Sequence, residues 1–133
     1  DRSKKNLETC HPELQLLCNS VIKHYDFAVT EGHRTLERQQ QLFAEGKSQL
    51  DGTTKRSNHQ ELPSLAVDLM PWPAELHGVN VWQDSLRWAH FTGIVRGHAE
   101  LLGIKIRLGA DWNGDGSSKD HRFVDSPHVE LVL

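Results

Sequence analysis

The segment Ser57-Asn58-His59-Gln60-Glu61-Leu62-Pro63-Ser64-Leu65-Ala66-Val67-Asp68-Leu69-Met70 decides the reading of the fold. Across residues 64–70, Leu65, Val67 and Leu69 alternate with Ser64, Ala66 and Asp68. A period of two marks a strand with one apolar face, so Asp68 projects from the other. His59 precedes that strand among turn-forming polar residues. A second strand closes the chain in Asp125-Ser126-Pro127-His128-Val129-Glu130-Leu131. Val129, Leu131 and Leu133 form its apolar face, and His128 and Glu130 point the opposite way. If the two strands are sheet neighbours, Asp68 and His128 project into one cleft.

Two imidazoles and one carboxylate make a catalytic set for zinc, because three protein ligands leave the fourth tetrahedral position open. Zinc lowers the pKa of water bound there to roughly 7, and a nearby carboxylate then takes the proton. Asp125, three residues before His128, is the candidate for that base. Taken singly, each of these residues reads as an ordinary solvated surface group. Two polar residues on strand faces opposite apolar ones, with a carboxylate tied locally to one of them, favour the metal reading.

Outward from this pair, residues 27–31 alternate Phe27 and Val29 with Ala28 and Thr30, a short strand. Glu31-Gly32-His33-Arg34-Thr35 follows, and leads into a helix over residues 36–45 that Thr35 caps and Gly46 ends. At that junction Arg34 has two readings: a planar fork for a substrate carboxylate or oxyanion, or a surface arginine paired with a helix glutamate. Residues 47–58 have almost no apolar content and read as an exposed loop that walls the cleft. Pro71-Trp72-Pro73 ends the central strand, with Trp72 either a substrate platform or a packing residue.

Residues 82–102 show the longest helical pattern, with Trp82, Leu86, Ala89, Phe91, Ile94, Val95, Leu101 and Leu102 as apolar members and Gly103 as the stop. Residues 104–108 form another strand. Next comes Asp111-Trp112-Asn113-Gly114-Asp115-Gly116-Ser117-Ser118-Lys119-Asp120. Asp111, Asn113 and Asp115, then Gly116, match the first half of a calcium loop, and Ser117 and Asp120 offer further oxygens. The bidentate glutamate usual at position twelve is replaced by Arg122, so a turn-rich loop without metal is the alternative. Near the N-terminus, Pro12, Leu14, Leu17, Cys18, Val21 and Ile22 fit a core-facing helix. Residues 1–9 are polar and are expected to fray.

The chain of 133 residues argues for one domain, residues 1–133, with one core. The order of elements gives an α+β fold: a small antiparallel sheet carrying the metal site, flanked by about three helices. No apolar run is long enough for a membrane helix, and no signal core follows the N-terminus. A net charge of −3 gives no electrostatic footprint for nucleic acid. Cys10 and Cys18 would lie about 12 Å apart if both stood on one helix, too far for a disulfide, whereas a Cys10 in the lead-in to the helix leaves a bridge open. Free thiols fit a reducing compartment.

Ser57-x-His59, Ala66-x-Asp68 and Asp125-x-x-His128 together resemble the zinc peptidases of the lysostaphin, D-Ala-D-Ala peptidase and hedgehog type. Within these, the chain is most similar to phage endolysins of the L-alanyl-D-glutamate peptidase kind. The likeness runs from about His11 to Leu133 and includes Glu31-Gly32-His33-Arg34-Thr35, Gly109-Ala110-Asp111-Trp112-Asn113 and His128-Val129-Glu130-Leu131. It implies zinc on His59, Asp68 and His128, Asp125 as general base and Arg34 as a substrate-side cation. The family pattern is Ser-x-His-x-x-Gly-x-Ala-x-Asp; here two extra residues separate His59 from Asp68, and Ser64 stands where glycine is usual. The implied substrate is the peptidoglycan stem peptide, cut at its L-Ala–D-Glu bond by a monomer. The implied setting is synthesis in the host cytoplasm and holin-mediated release to the wall. A D-Ala-D-Ala carboxypeptidase and a non-catalytic zinc-containing binder are the rival readings.

Overall fold

The computed structural model describes residues 1–109 and 125–133. The calcium-type loop of Asp111, Asn113, Asp115, Ser117 and Asp120 lies outside them. The elements run α1 (Arg2–Glu8), α2 (Pro12–Val21), β1 (Phe27–Glu31), α3 (Leu36–Ala44), a 3-10 turn (Asn58–Gln60), β2 (Ala66–Pro71), β3 (Glu75–Leu76), β4 (Val79–Asn80), a second 3-10 turn (Val81–Gln83), α4 (Ser85–Leu102), β5 (Ile106–Leu108) and β6 (His128–Leu131). Four strands form one sheet in the order β1-β2-β6-β5, and every pair in it is antiparallel. This is the α+β architecture that the alternation of strand and helix patterns predicts. The small β3–β4 hairpin is additional, being too short to leave a pattern.

The period-two face of β2 puts Val67 and Leu69 into the core, where Val129 and Leu131 of β6 and Leu108 of β5 join them. Helices α2 and α4 cover that face. Leu14, Leu17, Cys18 and Val21 of α2 meet Trp88, Phe91, Val95 and Ala99 of α4. Burying one such aliphatic side chain stabilises the fold by roughly 1.5–3 kcal/mol.

Helix α4 begins later than its apolar pattern suggests. Asp84 caps it through the amide of Arg87, and Gly103 ends it in the left-handed conformation. Trp82 falls in the preceding turn and is 60 % exposed; Leu86 and Leu101 are more than 80 % exposed. The buried face is Trp88, Phe91, Thr92, Val95 and Ala99, spaced at three to four residues. Trp88 joins it because its indole N–H donates to Val81 O at 2.8 Å, giving the polar end of the ring a partner.

Within the polar first residues, Arg2–Glu8 form α1, capped by the Asp1 carboxylate and laid along β1. The outer edge of β1 would otherwise present unpaired backbone groups. Instead Asn6 Nδ2 donates to Val29 O at 2.9 Å, and Val29 N–H donates to Ser3 Oγ at 3.1 Å. Polar side chains thus dock this helix, which is why an apolar periodicity does not reveal it.

Cys10 and Cys18 are buried free thiols. Burial pushes Cys10 up to about 11 and Cys18 to about 12, above the ordinary thiol value of 9.0. Folding therefore favours the protonated thiols. That stabilisation is complete below pH 9 and is lost as pH rises toward these folded-state values. In a thiol-alkylation time course at pH 8, the native protein is expected to stay unlabelled while the urea-unfolded protein takes up label at both positions.

Candidate metal centre and cleft

Antiparallel pairing places Asp68 directly opposite His128 on β6, while Glu31 of β1 registers with Asp68 on its other side. His59 reaches the same point from the 3-10 turn. Its Nε2 lies 3.1 Å from Asp68 Oδ1, and His128 Nδ1 lies 3.5 Å from the same oxygen. One donor atom from each of the three residues lies within 4.8 Å of the others, so the group could hold a metal ion.

Both rings are fixed from behind. His59 Nδ1 sits 2.7 Å from Gly32 O, which can only accept, so Nδ1 carries the proton and Nε2 offers its lone pair to the cleft. His128 Nε2 lies 2.7 Å from Glu130 Oε1, leaving Nδ1 for a metal. Imidazole ligands commonly have this outer acceptor, which selects the tautomer and raises ligand basicity. The donor set is therefore suited to a divalent ion: two oriented imidazoles and a carboxylate.

The local sequence explains these positions. Ser57 caps the turn, accepting from His59 N–H, while Ser57 N–H donates to Gln60 Oε1 at 2.8 Å. Gln60 Nε2 in turn donates to Gly52 O at 3.0 Å, tying the polar loop to the turn. Gly32 must be glycine because a Cβ there would collide with Asn6 O and Thr9 Oγ1. The same close approach brings its carbonyl to His59. The extended spacing between His59 and Asp68 is absorbed at Glu61, Leu62 and Pro63, which are exposed. Beyond them Ser64 is buried again, its N–H donating to Thr9 O at 2.8 Å. His59 and Asp68 meet despite the longer loop.

The charges around the centre reinforce one another. Burial works against an ionised Asp68, but hydrogen bonds from His128 and His59 outweigh it and hold the carboxyl well below its usual range. Burial likewise opposes a charged His128, yet its bonds to Asp68 and Glu130 push it up to about 9. Asp125 shifts the other way: burial, then the charge of Asp68, raise its carboxyl.

These residues face a cleft of about 670 Å³ whose lining includes Arg34, Asp68, Arg107, Asp125, His128 and Glu130. Its far wall is the polar loop, through Lys47, Ser48, Gln49, Leu50 and Arg56. Asp125 is placed by backbone contacts on both sides. Its N–H donates to Gly109 O at 2.9 Å, and its carbonyl accepts from His128 N–H at 3.1 Å.

Arg34 is 8 % exposed, so it is no loose surface cation. Its Nε and Nη2 donate to the two oxygens of Glu31 at 2.9 and 2.7 Å, and its Nη1 to Gln39 Oε1 at 2.8 Å. Nη2 also stands 3.7 Å from Asp68 Oδ2. Gln39 passes the constraint to the loop by donating to Ser48 Oγ and Leu50 O. Trp72, half exposed beyond the end of β2, is not among the residues lining the cleft.

Two residues of the site stand outside the motifs, Gln39 and Arg107. Gln39 occupies an apolar-stripe position three after Leu36, and Arg107 alternates with Ile106 and Leu108, so the two-residue period of that strand sets it off the apolar face. Glu31 and Glu130 lie within the quoted motifs, and the structure adds their roles: Glu31 holds Arg34, and Glu130 backs His128.

The phage L-alanyl-D-glutamate peptidase family model matches residues 1–132. The chain belongs to this family. Consistent with membership, it is 36 % identical over 136 residues to the L-alanyl-D-glutamate peptidase of Escherichia phage T5, covering 98 % of this chain and 94 % of that protein. The crystal structure of the Serratia marcescens L-Ala D-Glu endopeptidase ChiX superposes with a TM-score of 0.74 at 31 % identity, covering 98 % of this chain and 86 % of that one. The chain is a peptidase, and its cleft carries a group able to hold a metal ion. No helix among the described residues is long and apolar enough to cross a membrane.

Proposed function

We propose that this peptidase hydrolyses the L-Ala–D-Glu bond of peptidoglycan stem peptides, using zinc held by His59, Asp68 and His128. The observation that carries the reading is the convergence of these three ligands, backed by Gly32 O and Glu130, on the floor of a cleft that also contains Asp125. Held by these three residues, zinc would supply Lewis acidity and lower the pKa of water in the cleft. Asp125 is the general base: it takes the proton of the attacking water and returns it to the leaving glutamyl nitrogen. Arg34, held by Glu31 and Gln39 in the lining of the cleft, is the cation that stabilises negative charge developing on the substrate. Membership of the family and the two related peptidases support the choice of bond.

Mass spectrometry of purified peptidoglycan after digestion tests this directly. New L-Ala C-termini and D-Glu N-termini are expected, lost on chelation and restored by zinc. Release of free D-Ala instead would assign the site to carboxypeptidase chemistry. No cleavage with zinc and calcium both supplied would overturn the enzymatic reading.

A further inference from the structure

The cleft lining includes three cations that the catalytic scheme leaves unused, Lys47, Arg56 and Arg107, and of these only Arg107 stands on the sheet that carries Asp68 and His128. Arg107 lies on β5 opposite Glu130 of β6, two residues along the strand from His128. Its Nη1 stands 3.3 Å from Glu130 Oε2, an oxygen that also accepts from Asn58 Nδ2 at 3.0 Å. Glu130 Oε1 is taken by His128. Among the described residues Arg107 has no other hydrogen bond or ion pair, and its side chain is 47 % exposed. One edge of its guanidinium is therefore anchored a single side chain away from a metal ligand, and its remaining donors are open to the cleft. Arg34 is differently placed: it is buried, and both oxygens of Glu31 are already bound to it.

The proposed substrate presents a matching group. A glutamyl residue has two carboxyls, and extension of the peptide consumes only one. A free carboxylate, or its amide, therefore lies within a few bonds of the scissile nitrogen. We infer that Arg107 is the receptor for this carboxylate, a specificity-determining residue on the leaving-group side of the cleft that selects free glutamate over its amide. The inference rests on the proposed reaction. The physical basis is that a planar fork can pair two N–H groups with a carboxylate, whereas an amide offers one neutral oxygen. Glu130 holds the fork in place beforehand, which reduces the ordering cost of binding.

The test compares two synthetic stem peptides, one with D-glutamate and one with D-isoglutamine at the same position. The zinc-loaded wild type and Arg107→Ala are assayed on both. Wild type is expected to prefer the free acid, and Arg107→Ala to lose roughly ten- to hundredfold in kcat/KM on the acid, the usual worth of a hydrogen bond to a charged group. The loss on the amide should be severalfold smaller, so the preference collapses. Thermal melting checks that the variant is folded. Calorimetry on metal-depleted protein gives a second reading that requires no turnover: the product peptide with an N-terminal D-glutamate should bind wild type more tightly than Arg107→Ala, and its amide should bind both alike. Equal losses on acid and amide in both assays would overturn the subsite. If wild type cuts neither peptide, the proposed reaction fails, and calorimetry alone decides the carboxylate site.

Discussion

His59→Ala and His128→Ala proteins are expected to purify with far less than the roughly one zinc per chain of the wild type, and to show no measurable turnover. The tetrahedral scheme needs three protein ligands, and neither remaining pair substitutes for the set. Neither variant should unfold. Without His59, Asp68 keeps His128 at 3.5 Å and Arg34 at 3.7 Å, so its charge stays compensated. The clearest readout is the melting temperature with and without metal. Zinc at a hundred times its dissociation constant should stabilise wild type by about 2.7 kcal/mol. For a domain of this size that is on the order of 10 °C. The increment should vanish in both variants, whose metal-free melting temperatures should themselves fall below that of metal-free wild type, because each truncation leaves a cavity and an unpaired acceptor, Gly32 O or the Glu130 carboxylate. Wild-type zinc stoichiometry in either variant would remove that residue from the ligand set.

The geometry behind this expectation was partly visible in the sequence because strands report their own faces. Leu65, Val67 and Leu69 fix the side from which Asp68 projects, and Val129 and Leu131 do the same for His128. Pairing of the two strands then follows from a compact sheet. What brings His59 to them leaves no such periodic trace: a capped turn, a glycine carbonyl and an exposed detour at Glu61, Leu62 and Pro63. Only the resemblance to a known motif could select it among the nine histidines of the chain.

Helix α1 shows the converse limit. Its polar residues suggest a loose end, because the usual signal for a docked helix is an apolar stripe. Ser3 and Asn6 instead bond the open edge of β1. The pattern over residues 82–102 misleads differently. Leu86 and Leu101 are apolar at positions that face outward, so the true phase of α4 emerges only once Trp88 is seen bonded to Val81 O. Arg34 combines both problems. Its burial depends on Gln39, a polar residue in the stripe of α3 whose own partners, Ser48 and Leu50, lie across the cleft.

Replacing Asp125 with asparagine should separate the base from the metal site. kcat is expected to fall by about 10²–10⁴, the usual contribution of a positioned general base. Zinc content should remain at wild-type level, because Asp125 supports His128 through its backbone carbonyl, which the substitution retains. Its other anchor, the N–H bond to Gly109 O, is also backbone. Gly109 lies so close to the Asp125 carbonyl that even a Cβ would collide with it, so the main chain here has little freedom to follow a changed side chain. The amide is nearly the same size as the carboxyl and still fits beside Asp68, but it cannot accept a proton from water. KM should therefore change little while kcat falls, the signature of an interaction made in the transition state. Full activity in Asp125→Asn, with zinc retained, would make Asp125 a structural carboxylate and require another base in the cleft. Zinc lost together with activity would instead mean that Asp125 belongs to the ligand shell.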